Sequence, residues 1–211
     1  MLHLPDIRVE HGPDCVTVFC PYHPDWPARA RNLGGKWQAS QKAWLFDPRD
    51  AQTVTQALVE VYGWDGAYPV EILDARVILG DDKGGGPGCG GNELWLFGRF
   101  IAGRRHRDAE VRLGSGVILI QGGFAESGGS WRYPRLEAEP HTVVEVRDVT
   151  VSAFERDRRI QSRLWPDYIT EVPNSRRVVQ APGTIVAARL PRAIVLPESV
   201  PEAELSEVPT C

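Results

Sequence analysis

The hydrophobic positions change period along the chain, and the change divides it in two. From Val16 to Cys20 the run VTVFC is β-branched and aromatic, the composition of a strand. The stretch that follows, PDWPARARNLGG, predicts a short helix. Pro24 and Pro27 suit a first turn, and Trp26, Ala30 and Leu33 recur at i, i+4 and i+7 on one face. Gly34 and Gly35 supply a left-handed stop. KWQASQKAWLFD then reads as two short strands around a polar turn at Ala39 to Gln41. A second helix is predicted from Asp47, a cap residue followed by Pro48, with Asp50 in the first turn where the helix dipole favours acids. Val54, Leu58, Val61 and Tyr62 share one face of it, and Gly63 ends it. Residues 1–14 show little pattern.

Beyond Ala67 the period shortens. YPVEILDARVIL, ELWLFGRFI, GVILIQGGF and HTVVEVRDVTVSAF each read as a strand, with no helix between them. Such a region suits a small barrel or sandwich. DDKGGGPGCGGN is expected to be a mobile loop, and LWPDYI and GTIVAARL to be edge strands or a wrapping arm. The predicted class is therefore α+β. Residues 1–65 hold a small β-α-β-β-α module, 66–157 an all-β barrel or sandwich, and 158–211 an extended arm ending in a disordered acidic tail.

Composition narrows the picture. Hydrophobic residues make up 42% and charged residues 25%, enough for a packed core, while 17 prolines and 21 glycines favour turns over long helices. No apolar run reaches the about 18 residues that a membrane span needs, and the first residues lack the basic start and apolar stretch of a secretory signal. A cytoplasmic protein with no membrane partner is expected. Cys15, Cys20, Cys89 and Cys211 are too sparse for a disulfide framework and read as free thiols. A net charge of -4 argues against indiscriminate nucleic-acid binding but leaves room for a local basic patch, because Glu198, Glu202, Glu204 and Glu207 crowd the tail.

The succession of a helix ending in Leu33-Gly34-Gly35, then Lys36-Trp37, then Lys42, Trp44 and Phe46, then a helix closing on Tyr62, resembles the HARP domain. That domain lies beside the motor of annealing helicases, and HARP-like modules occur in proteins of mobile elements. The resemblance covers residues 15–65 only. It implies recognition of single-stranded or branched (forked) DNA, with the module as the substrate-recognition unit; a bacterial, plasmid or phage system is expected. The chain has no phosphate-binding GxxxxGK[ST] segment, so annealing driven by ATP does not follow.

The residues support a similar reading by themselves. Arg29, Arg31, Lys36 and Lys42 surround Trp37 and Trp44 in sequence, and cations interleaved with flat rings are what sequence-tolerant single-strand binding requires. Trp44 alternates with Phe46 and belongs with the core; Trp37, between Lys36 and Gln38, is open to either role. A second basic run, Arg104, Arg105, His106 and Arg107, is either a protruding loop that contacts phosphates or an acidic partner, or a solvated turn. Arg156, Arg158, Arg159 and Arg163 alternate with Glu155 and Asp157 and suggest local ion pairing.

Catalytic and metal signals are weak. His11, Cys15, Cys20 and His23 invite a zinc reading, but the two thiols stand an odd number of positions apart on one strand, and no CxxC pair exists. Cys89 lacks an adjacent base, Gly114-Ser115-Gly116 is not a nucleophile elbow, and Asp81–Asp82 lacks a third carboxylate. The expectation is a DNA-binding protein that is not an enzyme and takes no cofactor or metal. The alternative is a protein-binding accessory or inhibitor of a nucleoprotein complex, including a defence complex, to which net negative charge and an acidic tail are suited.

Overall fold

The computed structural model describes residues 2–82, 85–181 and 184–186. The acidic tail and Cys211 lie outside the described residues. The first unit runs β1 (Arg8–His11), β2 (Val16–Phe19), α1 (Trp26–Asn32), β3 (Lys36–Gln38), β4 (Ala43–Phe46), a 3-10 turn (Pro48–Asp50) and α2 (Ala51–Tyr62). Its antiparallel sheet has the order β1-β2-β4-β3, which leaves β3 on an edge. β1 forms where the sequence shows no strand pattern: Arg8, Glu10 and His11 are exposed, and backbone pairing with β2 holds the strand.

One face of this sheet receives both helices. Trp26 and Ala30 of α1, with Val54, Leu58 and Tyr62 of α2, pack on Val16, Val18, Trp44 and Phe46. Asp47 caps the 3-10 turn, accepting the Arg49 amide at 2.9 Å, so α2 proper starts at Ala51. Gly63 closes α2 in the left-handed conformation, φ 73°, with its amide on the Val59 carbonyl at 2.8 Å.

The second unit runs β5 (Val70–Ile78), β6 (Glu93–Leu96), β7 (Arg99–Gly103), β8 (Arg112–Leu113), β9 (Val117–Gln121), β10 (Val143–Thr150), α3 (Val151–Gln161), β11 (Ile169–Glu171), β12 (Arg177–Gln180) and β13 (Thr184–Val186). Six strands form one sheet, in the order β13-β12-β5-β10-β9 with β11 also beside β5, and β6-β7-β8 form another. The protein is α+β, and none of its sheets closes into a barrel among the described residues.

Two expectations are corrected here, and a third, left open between two readings, is resolved. The region read as all-β contains α3, whose first turn is capped by the Thr150 hydroxyl accepting the Ala153 amide at 3.3 Å. ELWLFGRFI is a hairpin rather than one strand: Phe97 (φ 56°) and Gly98 (φ 70°) form a two-residue turn with both residues left-handed, the geometry that matches strand twist. Of the two readings left open for LWPDYI and GTIVAARL, strands or a wrapping arm, Ile169 falls in β11 and Thr184–Val186 form the edge strand β13, while β12 between them was not foreseen. The strand β5 is long enough to pair with β11 and β12 in succession along one edge.

The two units are locked together around the end of α2. Gly98 approaches so closely that a Cβ there would overlap the Tyr62 backbone. The Thr150 hydroxyl donates to the Gly63 carbonyl at 2.9 Å, and Arg156 Nη1 donates to the Glu60 carbonyl at 2.7 Å. Buried Asp157 accepts the Phe97 amide and Arg156 Nε, so one carboxylate of α3 fixes both the hairpin turn and the cation that reaches α2. No helix among the described residues is long and apolar enough to cross a membrane.

Candidate nucleic-acid interface

A groove of about 380 Å³ opens where the end of β2, the first turn of α1 and the β3–β4 edge meet. Its mostly apolar walls include Pro21, Tyr22, Trp26, Arg31, Trp37 and Trp44. Trp37 and Trp44 are paired in register on β3 and β4, with ring centroids 5.5 Å apart. Trp44 sits beneath the helices at 6% exposure, whereas Trp37, on the edge strand and past the cover of α1, is 51% exposed. The open question about Trp37 is thus answered by its strand position.

The four candidate cations of this unit are not equivalent. Arg31 lines the groove, with its guanidinium carbon 5.8 Å from the Trp44 ring centroid. Arg29, two residues earlier and so on another side of α1, is held in an ion pair with Glu60 of α2. Lys36 and Lys42 are exposed, Lys42 in the β3–β4 turn with φ 53°. Strand alternation places Lys36 on the opposite face of β3 from Trp37, so it serves the outer edge rather than the groove. Arg31, Lys36 and Lys42 take part in no ion pair among the described residues.

Tyr22 and His23 extend this site; the sequence pointed to Tyr22 not at all and to His23 only as a zinc candidate. Tyr22 stands exposed on the rim and meets Trp95 of β6 edge-on at 6.1 Å. His23 is buried beneath it, edge-on to Tyr62 at 5.5 Å and to Trp95 at 5.0 Å. Burial holds the His23 pKa below its ordinary value; nearby Arg156 acts the same way, while Asp25 and Asp157 oppose. Burial likewise raises the Cys20 thiol and the Tyr62 hydroxyl. Cys15 and Cys20 are free thiols, and no group of three or more His, Cys, Asp or Glu residues that could hold a metal ion exists among the described residues.

The second basic run requires a correction. Arg104 is not a protruding cation but is 2% exposed. Its Nη1 donates to the carbonyls of Arg107, Ala109 and Glu126 at 3.2, 2.9 and 3.0 Å, and its Nη2 to those of Ala125 and Leu136. A guanidinium so occupied is unavailable to a phosphate; it stitches the loop after β7 to the segment before β10. Arg105 and Arg107 are exposed, the latter paired with Asp108 at 3.4 Å, and the His106 ring lies 5.9 Å from that of Trp131. Trp131 and Tyr133 are among the most exposed rings of the protein. The signal for them was present in Ser130-Trp131-Arg132-Tyr133-Pro134-Arg135, the same interleaving of rings and cations that marks Trp37 and Trp44.

Comparison with protein-family models gave no matching family, comparison with curated proteins no matching relative, and comparison with solved structures no matching structure.

Proposed function

We propose that this chain is a non-catalytic DNA-binding protein that takes single-stranded or branched DNA into the groove beside Trp37. On this reading residues 15–65 act as a HARP-like recognition module. The observation that carries it is a half-exposed tryptophan braced by a buried one, with an unpaired arginine over the second ring. A base stacked on an exposed aromatic ring contributes about 1–3 kcal/mol without regard to sequence. Arg31, Lys36 and Lys42 then supply phosphate contacts that a chain of net charge -4 would otherwise lack. Duplex DNA hides its base faces, so a stacking groove favours unpaired strands.

The test is fluorescence anisotropy of labelled single-stranded, duplex and forked oligonucleotides at two salt concentrations. Salt-sensitive binding that prefers single strands or forks supports the proposal. Absence of binding up to protein concentrations on the order of 100 µM, the weak end of non-specific affinity, rejects it. A second reading, a protein-binding accessory or inhibitor of a nucleoprotein complex, is favoured by one feature. β9 is an edge strand, and its Leu119 and Ile120 are exposed where a partner strand could add.

A further inference from the structure

We infer that the path for single-stranded DNA does not stop at the groove but crosses the second unit to the turn carrying Trp131 and Tyr133, a second base-stacking contact. The inference rests on the DNA-binding reading above and extends it to a surface some distance from the groove.

Ring contacts connect the two places. Tyr22, on the groove rim, meets Trp95 at 6.1 Å, and Trp95 meets Phe100 of β7 at 5.6 Å. The Arg112 guanidinium lies 5.6 Å from the Phe100 ring centroid. Phe100, Arg112 and Arg105 line a neighbouring cavity of about 400 Å³, together with the carboxylates Glu93 and Glu110. Next to Arg105 comes His106, against Trp131. Partly exposed rings and guanidinium groups therefore lead from one unit to the other, the kinds of group on which unpaired bases stack, with Glu93 and Glu110 among them.

The far end is built rather than loose. The Ser130 amide donates to the Tyr133 carbonyl at 2.9 Å, and the Tyr133 amide to the Ser130 hydroxyl at 3.1 Å, closing a tight turn with Trp131 at its tip. Gly129 takes φ 70° at a point where a Cβ would strike the Tyr133 carbonyl, so the turn depends on that glycine. Arg104 spends its Nη1 and Nη2 donors on carbonyls of both loops, a buried charge whose effect is to fix their relative position. Trp131 is nevertheless 76% exposed and Tyr133 67%, a large apolar area to leave in water on a fixed turn.

Charge says how this end would bind. Arg105, Arg132 and Arg135 are exposed and in no ion pair, but Asp108, Glu110 and Glu126 lie in the same two loops. The patch is close to neutral, so stacking carries the contact and phosphate attraction contributes little. That distinguishes it from the groove and the β3–β4 edge beside it, where Arg31, Lys36 and Lys42 are in no ion pair among the described residues.

The experiment uses the full chain and a double variant, Trp131→Ala/Tyr133→Ala, titrated with labelled oligothymidylates of increasing length. Equal thermal midpoints of the two proteins show that the exposed substitutions leave the fold intact. Expected are equal affinities for the shortest oligomers, a loss of about tenfold or more for long ones, and an unchanged salt dependence. A variant that binds long oligomers as tightly as the wild type, or loses short and long ones equally, overturns the inference alone. If the wild type binds no oligomer of any length, the DNA-binding reading fails and this inference with it.

Discussion

Trp37 and Trp44 face each other across β3 and β4 with ring centroids 5.5 Å apart, yet one is half in solvent and the other is core. The pair separates stability from binding. Trp44→Ala removes a buried ring from the cluster around Trp26 and Phe46 and is expected to cost about 3–5 kcal/mol. Trp37→Ala is expected to cost about 1 kcal/mol or less, while weakening single-stranded DNA binding about tenfold. Chemical denaturation and anisotropy on the two variants check both halves. A Trp37→Ala protein with full DNA affinity would show that this ring takes no base.

Arg104 is expected to be a stability residue, despite its place in a basic run. Arg104→Met leaves the carbonyls of Ala109, Glu126 and Leu136 without their donor and is expected to cost at least about 3 kcal/mol. Arg104→Lys does not restore it, because an ammonium lacks the planar fork that reaches several carbonyls at once. Arg105→Ala, one residue on and exposed, stays within about 0.5 kcal/mol of the wild type. Urea denaturation of the three variants decides; equal stability of Arg104→Met and Arg105→Ala contradicts the burial.

Two glycines with similar backbone angles separate strain from collision. Gly34 has φ 75° and open space around a Cβ, so Gly34→Ala is expected to cost about 1 kcal/mol, the left-handed penalty alone. Gly98 has φ 70° and the Tyr62 backbone in the way. Gly98→Ala is therefore expected to cost at least about 3 kcal/mol, since it forces the β6–β7 hairpin off α2. Thermal unfolding that ranks the two variants equally would remove the close approach as the joint between the units.

His23 makes stability depend on pH in a stated direction. Its Nδ1 accepts the Asp25 amide at 3.2 Å, which needs the neutral ring, and burial lowers its pKa from the ordinary 6.5. The folded state thus binds the proton less readily than the unfolded state. The stability contribution is complete above about pH 6.5 and is lost as pH falls toward the depressed folded value. His23→Leu is expected to flatten the thermal midpoint between pH 8 and about 5.5, above the range where carboxylates titrate. A midpoint that falls equally in both proteins over that range assigns the change to other groups.

Much of the first unit was legible because its signals are local. Gly34 and Gly63 end their helices, and Trp26, Ala30, Val54 and Leu58 recur at helical spacing; all of these operate within one turn. α3 was hidden because its cap, Thr150, sits inside the β-branched run Val149-Thr150-Val151, which reads as strand until Ala153, Phe154 and Asp157 are seen to share a buried face. β1 carries no apolar stripe, so only its partner reveals it. The burial of Arg104 was beyond the sequence altogether: Arg104-Arg105-His106-Arg107 looks uniformly solvated, and the carbonyls that bury its first member come from up to 32 residues away. Tyr22 joined the site for a similar reason, since Trp95 reaches it from another unit.

The central claim is that the unpaired cations of the groove and of the β3–β4 edge beside it hold single-stranded DNA. The most direct measurement is the affinity of a labelled single-stranded oligonucleotide across a salt series, for the wild type and for Arg31→Ala/Lys36→Ala/Lys42→Ala. The expected result is salt-sensitive wild-type binding, with a plot of log affinity against log salt that flattens by about 2 in the variant, roughly 0.7 for each lost phosphate contact. A variant with the wild-type affinity and slope, or a wild type that does not bind, contradicts it.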